Sequence, residues 1–344
     1  MSHNFKELVA KIVKDTSPAF ASTRVEEDDR ERIPSGVFPF DLASGGGIPQ
    51  GCMSILYGPE SAGKTNLALR FVRSAQQMFP DQTCVFVDVE RSLDKNWCDR
   101  MGIDSERLGH LKPAYGEDAV DWTEAALSSS DVSLVVLDSI AAITPGNTVE
   151  KEAGRMDVAG NSALISRLMS KVTFAQQMAA GQDHYPTLLC INQVRFKIGV
   201  MFGDPETQPG GKKLHHAARM IARIYGKNEV DKSIHAELPA WKKTNIVLKK
   251  WKVPIVNPQA QYNMAMIPAH GVKPGEVDDW PTLKTYLSEL GWMLKTGQKW
   301  MLLDKEYPTQ KAIRELVMAD NEFTRNLRKK IIDTMLDKMG IESQ

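Results

Sequence analysis

The sequence predicts an α/β fold in which a mostly parallel β-sheet is flanked by helices, with a short N-terminal helix and a small α+β domain at the C-terminal end. Between residues 33 and 268, short β-forming runs alternate with longer helical patterns, which is typical of a parallel sheet covered by helices. Most of these runs are continuously apolar, as strands buried on both faces are. The 344 residues exceed the length of one typical domain. We therefore expect an N-terminal segment (1–32), a main domain (33–270) and a C-terminal domain (271–344).

The order of the elements follows from apolar periodicity and from capping residues. Six strands are predicted, at residues 53–57, 83–87, 134–137, 187–191, 220–224 and 245–248. Four helices are predicted, at residues 64–78, 92–101, 117–128 and 161–180, each beginning near a capping residue or a glycine.

The two ends of the chain have patterns of their own. Apolar residues at helical spacing between residues 5 and 13 predict an amphipathic helix, and a polar arm follows it up to Pro34. The apolar stripe of this helix needs a partner surface, which is ordinarily its own domain and, in an assembly, the next subunit. In the C-terminal segment one helical face contains Trp280, Leu283, Leu287 and Leu290, and another contains Phe323, Leu327, Ile331, Met335 and Met339.

Composition restricts the class of protein. Hydrophobic residues make up 42% of the chain and charged residues 25%, as in globular proteins. Basic and acidic residues both number 43, so attraction to nucleic acid has to come from local patches. No apolar run is long enough for a bilayer span, and the charged first residues lack the pattern of a secretory signal. The four cysteines are far apart in the sequence, so we expect reduced core thiols in a cytoplasmic protein.

The most specific motif matches GxxxxGK[ST] and lies between a predicted strand and a predicted helix. Its residues are Gly58, Pro59, Glu60, Ser61, Ala62, Gly63, Lys64 and Thr65. Glycines let backbone N–H groups turn towards phosphates, and the helix N-terminus adds a positive dipole. We expect Lys64 to contact the terminal phosphates of a nucleotide and Thr65 to bind Mg²⁺. The flanking strand and helix argue against a glycine-rich turn that arose by chance.

Two carboxylates follow apolar runs that should end at the same edge of the sheet. Asp138 follows the run LVVL, and Glu90 follows FVDV. Ligands collect at the carboxyl ends of parallel strands, so Asp138 is expected to hold Mg²⁺ through water. Glu90 is then placed to orient and deprotonate an attacking water. The alternatives are that Asp138 only caps the next helix and that Glu90 is a surface charge.

A stretch rich in glycine and proline follows the strand that ends near Gln193, and it predicts a mobile loop. Its side chains combine cations that can meet phosphates with apolar groups that can insert between bases. The candidate DNA contacts are Arg195, Phe196, Lys197, Met201, Phe202, Gly210, Gly211 and Lys212. An ordinary surface loop is the alternative.

A second basic stretch, WKKTNIVLKKWK at residues 241–252, has five lysines, two tryptophans and no acidic residue. This composition indicates either contact with nucleic acid or a solvated strand edge.

Several of these stretches together resemble the RecA family of homologous recombinases, in the bacterial form that phages also carry. They are IPSGVFPFDLASGGGIPQG, GPESAGKT, FVDVERSLD, VVLDSIAAITP and INQVRFKIGVMFGDPETQPGGKKL, in this order over about residues 33–270. The resemblance implies a RecA-like P-loop NTPase core that binds ATP and Mg²⁺. It also implies a DNA-dependent ATPase that polymerises on single-stranded DNA, with ATP at each subunit interface, and promotes strand exchange with double-stranded DNA.

The resemblance assigns roles to single residues. Glu90 corresponds to the water-activating glutamate and Asp94 to an aspartate that contacts adenine. Trp97 stands where a tyrosine usually stacks on adenine, although burial in the core is an alternative for this indole. Gln193 corresponds to the glutamine that senses the γ-phosphate and passes the signal to DNA.

The resemblance also assigns the DNA loops and the subunit boundary. The stretch after Gln193 becomes the second DNA-binding loop, and the first is expected at residues 152–161, with Arg155 and Met156 as its contacts. Lys249 aligns with a lysine that reaches a neighbouring subunit's ATP, whereas the second such lysine is Lys250, Lys252 or none. The last seventy residues resemble a domain that gathers duplex DNA, through a basic helix with Arg325, Arg328, Lys329 and Lys330.

Two other functions compete with a recombinase. A ring helicase on the same core is disfavoured by the N-terminal segment and by the long loop after Gln193. A mediator that does not hydrolyse ATP is disfavoured by the complete set of Lys64, Thr65, Glu90 and Asp138. We expect single-stranded and double-stranded DNA, further copies of this chain, and single-strand-binding and mediator proteins as partners, and no membrane. The expected location is the bacterial cytoplasm, for a cellular or a phage-encoded protein.

Overall fold

The computed structural model describes residues 31–146, 158–196, 206–207, 209–319 and 321–340. The chain divides into two units. The first contains Pro49–Glu60 and Lys64–Ile221 together with the chain up to Ile33. The second contains Pro34–Ile48, Ser61–Gly63 and the chain from Ala222 onward.

The elements are numbered in chain order. The strands are β1 (Arg32–Ile33), β2 (Ile48–Pro49), β3 (Met53–Gly58), β4 (Thr83–Asp88), β5 (Leu108–Leu111), β6 (Val132–Asp138), β7 (Thr187–Gln193), β8 (Arg195–Phe196), β9 (Glu206–Thr207), β10 (Met220–Val230), β11 (Pro239–Trp251), β12 (Gln259–Ala265), β13 (Met293–Thr296), β14 (Lys299–Leu302) and β15 (Lys305–Tyr307). The helices are α1 (Phe38–Ser44), α2 (Lys64–Met78), α3 (Lys95–Arg100), α4 (Gly116–Leu127), α5 (Val158–Ala180), α6 (Gly211–Ala217), α7 (Trp280–Glu289), α8 (Gln310–Met318) and α9 (Glu322–Lys338).

The centre of the first unit is a row of parallel strands in the order β3, β7, β6, β4, β5. Every residue of β3 and β6 is buried, as continuously apolar runs predict. The register places Gly58 beside Gln193 and Asp88 beside Asp138. The carboxyl ends of four strands therefore meet at one edge, where the sequence predicted the site. All four cysteines are buried thiols, as predicted.

The sheet continues through β10 to β11 and β12, giving eight strands in all. At the start of β10, the Arg219 N–H donates to the Met53 carbonyl at 2.8 Å. β11 and β12 pair in antiparallel register. β11 therefore has a neighbour on each side and is not a solvated strand edge, and its four lysines are exposed or partly exposed. The mostly parallel α/β architecture is confirmed.

The C-terminal part of the second unit is α+β, as predicted. β13, β14 and β15 form an antiparallel sheet. Its core also receives side chains from α1, and the buried members are Phe38, Leu42, Leu283, Leu287, Met293, Leu302, Ile313, Val317, Leu327, Ile331, Ile332 and Leu336. Two residues expected on the inner face of the last helix, Phe323 and Met339, are instead 40% and 51% exposed, because they lie at the helix ends where the core stops. The Arg328 guanidinium forms an ion pair with the Asp279 carboxylate at 3.0 Å, so this arginine of the basic helix already has an acidic partner within the second unit.

Some elements differ from the prediction. The helix expected at residues 92–101 begins only at Lys95, because the Asp94 side chain caps it by accepting from the Trp97 N–H. Within the eight-stranded sheet, two strands were missed: β5 is a short, half-exposed LGHL, and β12 is a polar QAQYNMA without an apolar run. The strands outside this sheet were not predicted individually; they are β1, β2, β8, β9, β13, β14 and β15. The predicted N-terminal helix and most of the polar arm lie outside the described residues. In the part of the chain that the structure describes, no helix has the length and apolar character of a membrane span.

Candidate functional site

The phosphate-binding motif forms a loop between β3 and α2, as predicted. Ser61 and Gly63 have φ of 55° and 96°, and the second is a conformation that glycine adopts without strain. The Lys64 ammonium donates to the Gly58 carbonyl at 3.1 Å and to the Pro59 carbonyl at 2.7 Å. The cation is thus held against the mouth of the loop by two carbonyls that a phosphate oxygen can replace as its partners.

Thr65 and Asp138 lie in direct contact at the edge of the sheet. The Thr65 hydroxyl donates to Asp138 Oδ2 at 2.8 Å. Burial raises the pKa of Asp138 to about 6; the Thr65 hydrogen bond and the Lys64 charge lower it, and the Glu90 and Asp88 charges raise it. Asp138 therefore has partners that a simple helix cap does not have, and the residue after it, not Asp138, precedes the next helical turn.

These two oxygen ligands suit Mg²⁺, a hard cation that commonly uses one or two protein oxygens and completes its shell with water and phosphate. Among the described residues, no group of three or more His, Cys, Asp or Glu side chains is arranged to hold a metal ion alone. The donor set thus fits a metal that arrives with a nucleotide.

Glu90 lies at the centre of a hydrogen-bonded cluster. Its Oε1 accepts from the Gln193 side-chain amide at 2.9 Å and also from the Ser139 hydroxyl. The Glu90 N–H donates to the Asp138 carbonyl at 3.2 Å. The structure therefore brings Glu90, Gln193 and Asp138 together. Ser139 was missed by the sequence reasoning, and its position directly after the buried Asp138 was the available signal.

Asp94 and Trp97 are connected through the start of α3. Asp94 Oδ1 accepts from the Trp97 N–H at 2.8 Å. Trp97 is partly exposed and is absent from the buried core, which argues against the core alternative for its indole. Both residues follow Glu90 within seven positions. One short segment therefore contains the candidate for water activation, Glu90, and the two candidates for adenine contact, Asp94 and Trp97.

The loop after β7 is anchored on both sides. The buried Asn192 side chain donates to the Pro209 carbonyl at 3.0 Å and accepts from the Gln193 N–H at 3.0 Å. The backbone of Arg195 pairs with that of Thr207 in the short β8–β9 ladder. Asn192 was not predicted as a site residue; its side-chain amide connects Pro209, at the far end of the loop, to the strand that contains Gln193.

Only some of the candidate DNA-contact residues lie in the part of the chain that the structure describes. Gly210 and Gly211 have φ of 98° and 59° and begin α6, where Lys212 is exposed. Arg155, Met156, Lys197, Met201 and Phe202 lie outside the described residues, and Arg195 and Phe196 are placed by their backbone in β8.

Lys249 lies exposed on β11 in the second unit. Its neighbours Lys250 and Lys252 lie at the end of the same strand and just after it. A lysine that reaches another subunit has to be accessible in the single chain, and Lys249 meets this condition.

Comparison with known proteins agrees with this arrangement. Residues 11–273 match the model of the RecA N-terminal domain. Protein RecA of Aquifex aeolicus (strain VF5) is 40% identical over 201 residues, which are 58% of this chain and 56% of that protein. Protein RecA of Pseudomonas savastanoi pv. phaseolicola (strain 1448A / Race 6) is 32% identical over 349 aligned positions, covering 98% of this chain and 92% of that protein.

The alignments thus span just over half of the Aquifex relative and nearly all of the Pseudomonas relative. The family match covers the phosphate loop, Glu90, Asp138 and Gln193. On both grounds, the chain belongs to the RecA family.

Proposed function

We propose that this protein is an ATP-dependent DNA recombinase. It forms a helical filament on single-stranded DNA, promotes homologous pairing and strand exchange with double-stranded DNA, and hydrolyses ATP faster when DNA is bound. The observation that carries the proposal is the hydrogen bond between Glu90 and Gln193, because it connects the candidate hydrolytic carboxylate to the strand that leads into the candidate DNA loop.

The nucleotide is held by the phosphate loop. Backbone N–H groups of the loop and the N-terminus of α2 bind the phosphates, and Lys64 exchanges its carbonyl partners for phosphate oxygens. Asp94 contacts the adenine and Trp97 stacks on it. Thr65 and Asp138 would hold a Mg²⁺ ion, Asp138 through water as predicted, and the ion would supply positive charge to the phosphates.

Hydrolysis requires a water whose proton is removed as it attacks the γ-phosphorus. Glu90 accepts that proton, the water oxygen forms the new bond to phosphorus, and the bond to the β–γ bridging oxygen breaks to give ADP and phosphate. Glu90 Oε1 accepts from Ser139 and Gln193, and a carboxylate has about four acceptor sites on its two oxygens, so Glu90 can bind the water while it keeps these partners.

Gln193 couples the two ligands. A γ-phosphate competes with Glu90 for the Gln193 amide, and a change at Gln193 moves the strand end from which the DNA loop departs. The loop residues and Lys212 bind the DNA strand through phosphate contacts and stacking. Arg155 and Met156 form the first loop's contacts, and Lys249 supplies a cation to the ATP of the adjacent subunit.

The test compares Lys64→Ala, Glu90→Gln and the parent protein in ATP binding and in ATP hydrolysis with and without single-stranded DNA. We expect Lys64→Ala to lose ATP binding. Glu90→Gln should keep ATP and DNA binding and lose at least about a hundredfold in hydrolysis rate, since only the proton acceptor is removed. Glu106→Gln, an exposed glutamate remote from the cluster in sequence, is the control and should behave as the parent.

Equal loss of nucleotide binding in Lys64→Ala and Glu90→Gln would show that Glu90 is misassigned. A parent protein that binds ATP and DNA without any hydrolysis would favour the mediator function instead.

A further inference from the structure

The turn that carries Glu90 is held by a buried carboxylate that the reaction itself does not use. Asp88 ends β4 with none of its surface exposed. Its Oδ1 accepts from the Ser92 N–H at 3.0 Å, and its Oδ2 accepts from the Leu93 N–H at 3.1 Å. The carboxylate thus closes a turn over residues 88–93.

The first half of the same turn is fixed from a different strand. The N–H groups of Val89 and Glu90 donate to the carbonyl of Asp138, at 2.8 and 3.2 Å. Arg91 then takes a φ of 55°, which is uncommon for a residue with a side chain. Two groups therefore hold the backbone around Glu90. The Asp138 carbonyl binds the N–H groups of residues 89 and 90, and the Asp88 carboxylate binds those of residues 92 and 93.

His110 also contacts the Asp88 carboxylate. It lies on β5, which pairs with β4 in parallel register, and its Nε2 is 3.0 Å from Asp88 Oδ2. A carboxylate only accepts hydrogen bonds, so the imidazole donates here. The His110 side chain keeps 28% of its surface exposed, and it therefore stands between the buried Asp88 and solvent.

Removing this donor has a specific consequence. Asp88 Oδ2 then keeps only the Leu93 N–H, and water gains access to a carboxylate that otherwise binds two backbone groups of the turn. A turn in which one residue already has a positive φ loosens when such a contact is lost. A displacement of a catalytic group by about 1 Å is enough to slow a reaction strongly.

We propose that His110, acting through Asp88, is a positioning residue that holds Glu90 where it can activate water. This inference rests on the proposed role of Glu90 in ATP hydrolysis. His110 contacts neither the nucleotide nor the attacking water in this scheme; it sets the geometry of the turn between β4 and α3.

The test uses two substitutions at one position. His110→Gln places an amide N–H near the position of Nε2, whereas His110→Leu removes the donor and keeps an apolar group of similar bulk. Single-turnover ATP hydrolysis should slow roughly five- to tenfold in His110→Leu and stay near the parent rate in His110→Gln, with ATP affinity changed less than about twofold in both. His184→Leu, which removes a histidine bonded to the Ser129 carbonyl, is the matched control and should keep the parent rate.

A double-mutant cycle shows whether the effect passes through Glu90. In the Glu90→Gln background, His110→Leu should cause no further loss of rate. If His110→Leu does not fold, His110→Ala replaces it in the same comparison. Equal rates for the parent and His110→Leu, or for the parent and His110→Ala where it replaces His110→Leu, would overturn the inference, as would a full additional loss in the Glu90→Gln background. A Glu90→Gln protein that hydrolyses ATP at the parent rate would instead overturn the proposed function.

Discussion

At the scale of single residues, the site is a set of short polar contacts in which each member has a partner within the chain. Lys64 bonds to loop carbonyls, Thr65 bonds to Asp138, and Glu90 bonds to Gln193. Lys64 and Asp138 are buried, and buried polar groups are costly without partners, so the contacts of these two residues stabilise the site.

Trp97 gives a residue-scale prediction. Its indole is partly exposed beside the cap formed by Asp94, where it is free to stack on a base. Trp97→Ala should weaken ATP binding by about 1 to 2 kcal/mol, the usual scale for a lost aromatic contact, and Trp97→Phe should lose less. Fluorescence titration with ATP measures both, and the parent signal should change on binding. Trp122→Phe is the control for the other tryptophans, and an unchanged affinity in Trp97→Ala would remove Trp97 from the site.

At the scale of elements, parallel strands explain why residues distant in sequence meet. β3, β4, β6 and β7 deliver Gly58, Asp88, Asp138 and Gln193 to the same edge, because parallel neighbours end side by side. Asn192 then ties Pro209 back to β7, so the loop leaves and returns at one place. A change in the position of Gln193 therefore acts where the loop leaves β7.

The coupling through β7 gives the element-scale prediction. Gln193→Ala should keep a basal ATPase rate and lose most of its stimulation by single-stranded DNA, because the amide that bonds Glu90 is removed. By linkage, ATP should also tighten DNA binding less in this variant than in the parent. Titrating the ATPase rate against an oligonucleotide measures the effect, with Gln182→Ala, an exposed glutamine after α5, as the control. Full DNA stimulation of Gln193→Ala would refute the coupling.

The sequence was sufficient for the elements that carry a strong pattern. β3 and β6 are buried throughout and each contains an apolar run, and the phosphate loop matches a specific motif, so both could be placed from residues alone. Contacts that depend on neighbouring strands could not. The donor that His110 offers to Asp88 requires β5 beside β4, and β5 itself has too few apolar residues to be recognised as a strand.

At the scale of the whole molecule, each unit has a core of its own. The first is built around the parallel strands, and the second packs α1 with the C-terminal helices and sheet. Within the second unit the buried Asp41 accepts from the Ser35 N–H and hydroxyl, both at 2.7 Å, and from the Gly36 N–H at 2.9 Å. A buried carboxyl in this position makes stability depend on pH.

The pH dependence follows from the sign of the shift. Burial raises the pKa of Asp41 from its ordinary value of 3.8 to about 7 in the folded protein. The folded state therefore binds this proton more tightly, and its stabilising effect is present below about pH 4 and is lost as the pH rises through about 7. Relative to Asp41→Asn, the free energy of unfolding of the parent should fall by up to about 1.4 kcal/mol per pH unit in this window. Urea denaturation at several pH values measures it, and parallel profiles for the two proteins would contradict the assignment.

The most direct test of the central claim is electron microscopy of the protein with single-stranded DNA and a slowly hydrolysed ATP analogue, beside Lys64→Ala under the same conditions. A recombinase that assembles through bound ATP should give helical filaments that cover the DNA. Lys64→Ala should give none, because its phosphate loop lacks the cation that binds the nucleotide. Closed rings would indicate a helicase, and single particles in both samples would contradict ATP-dependent assembly on DNA.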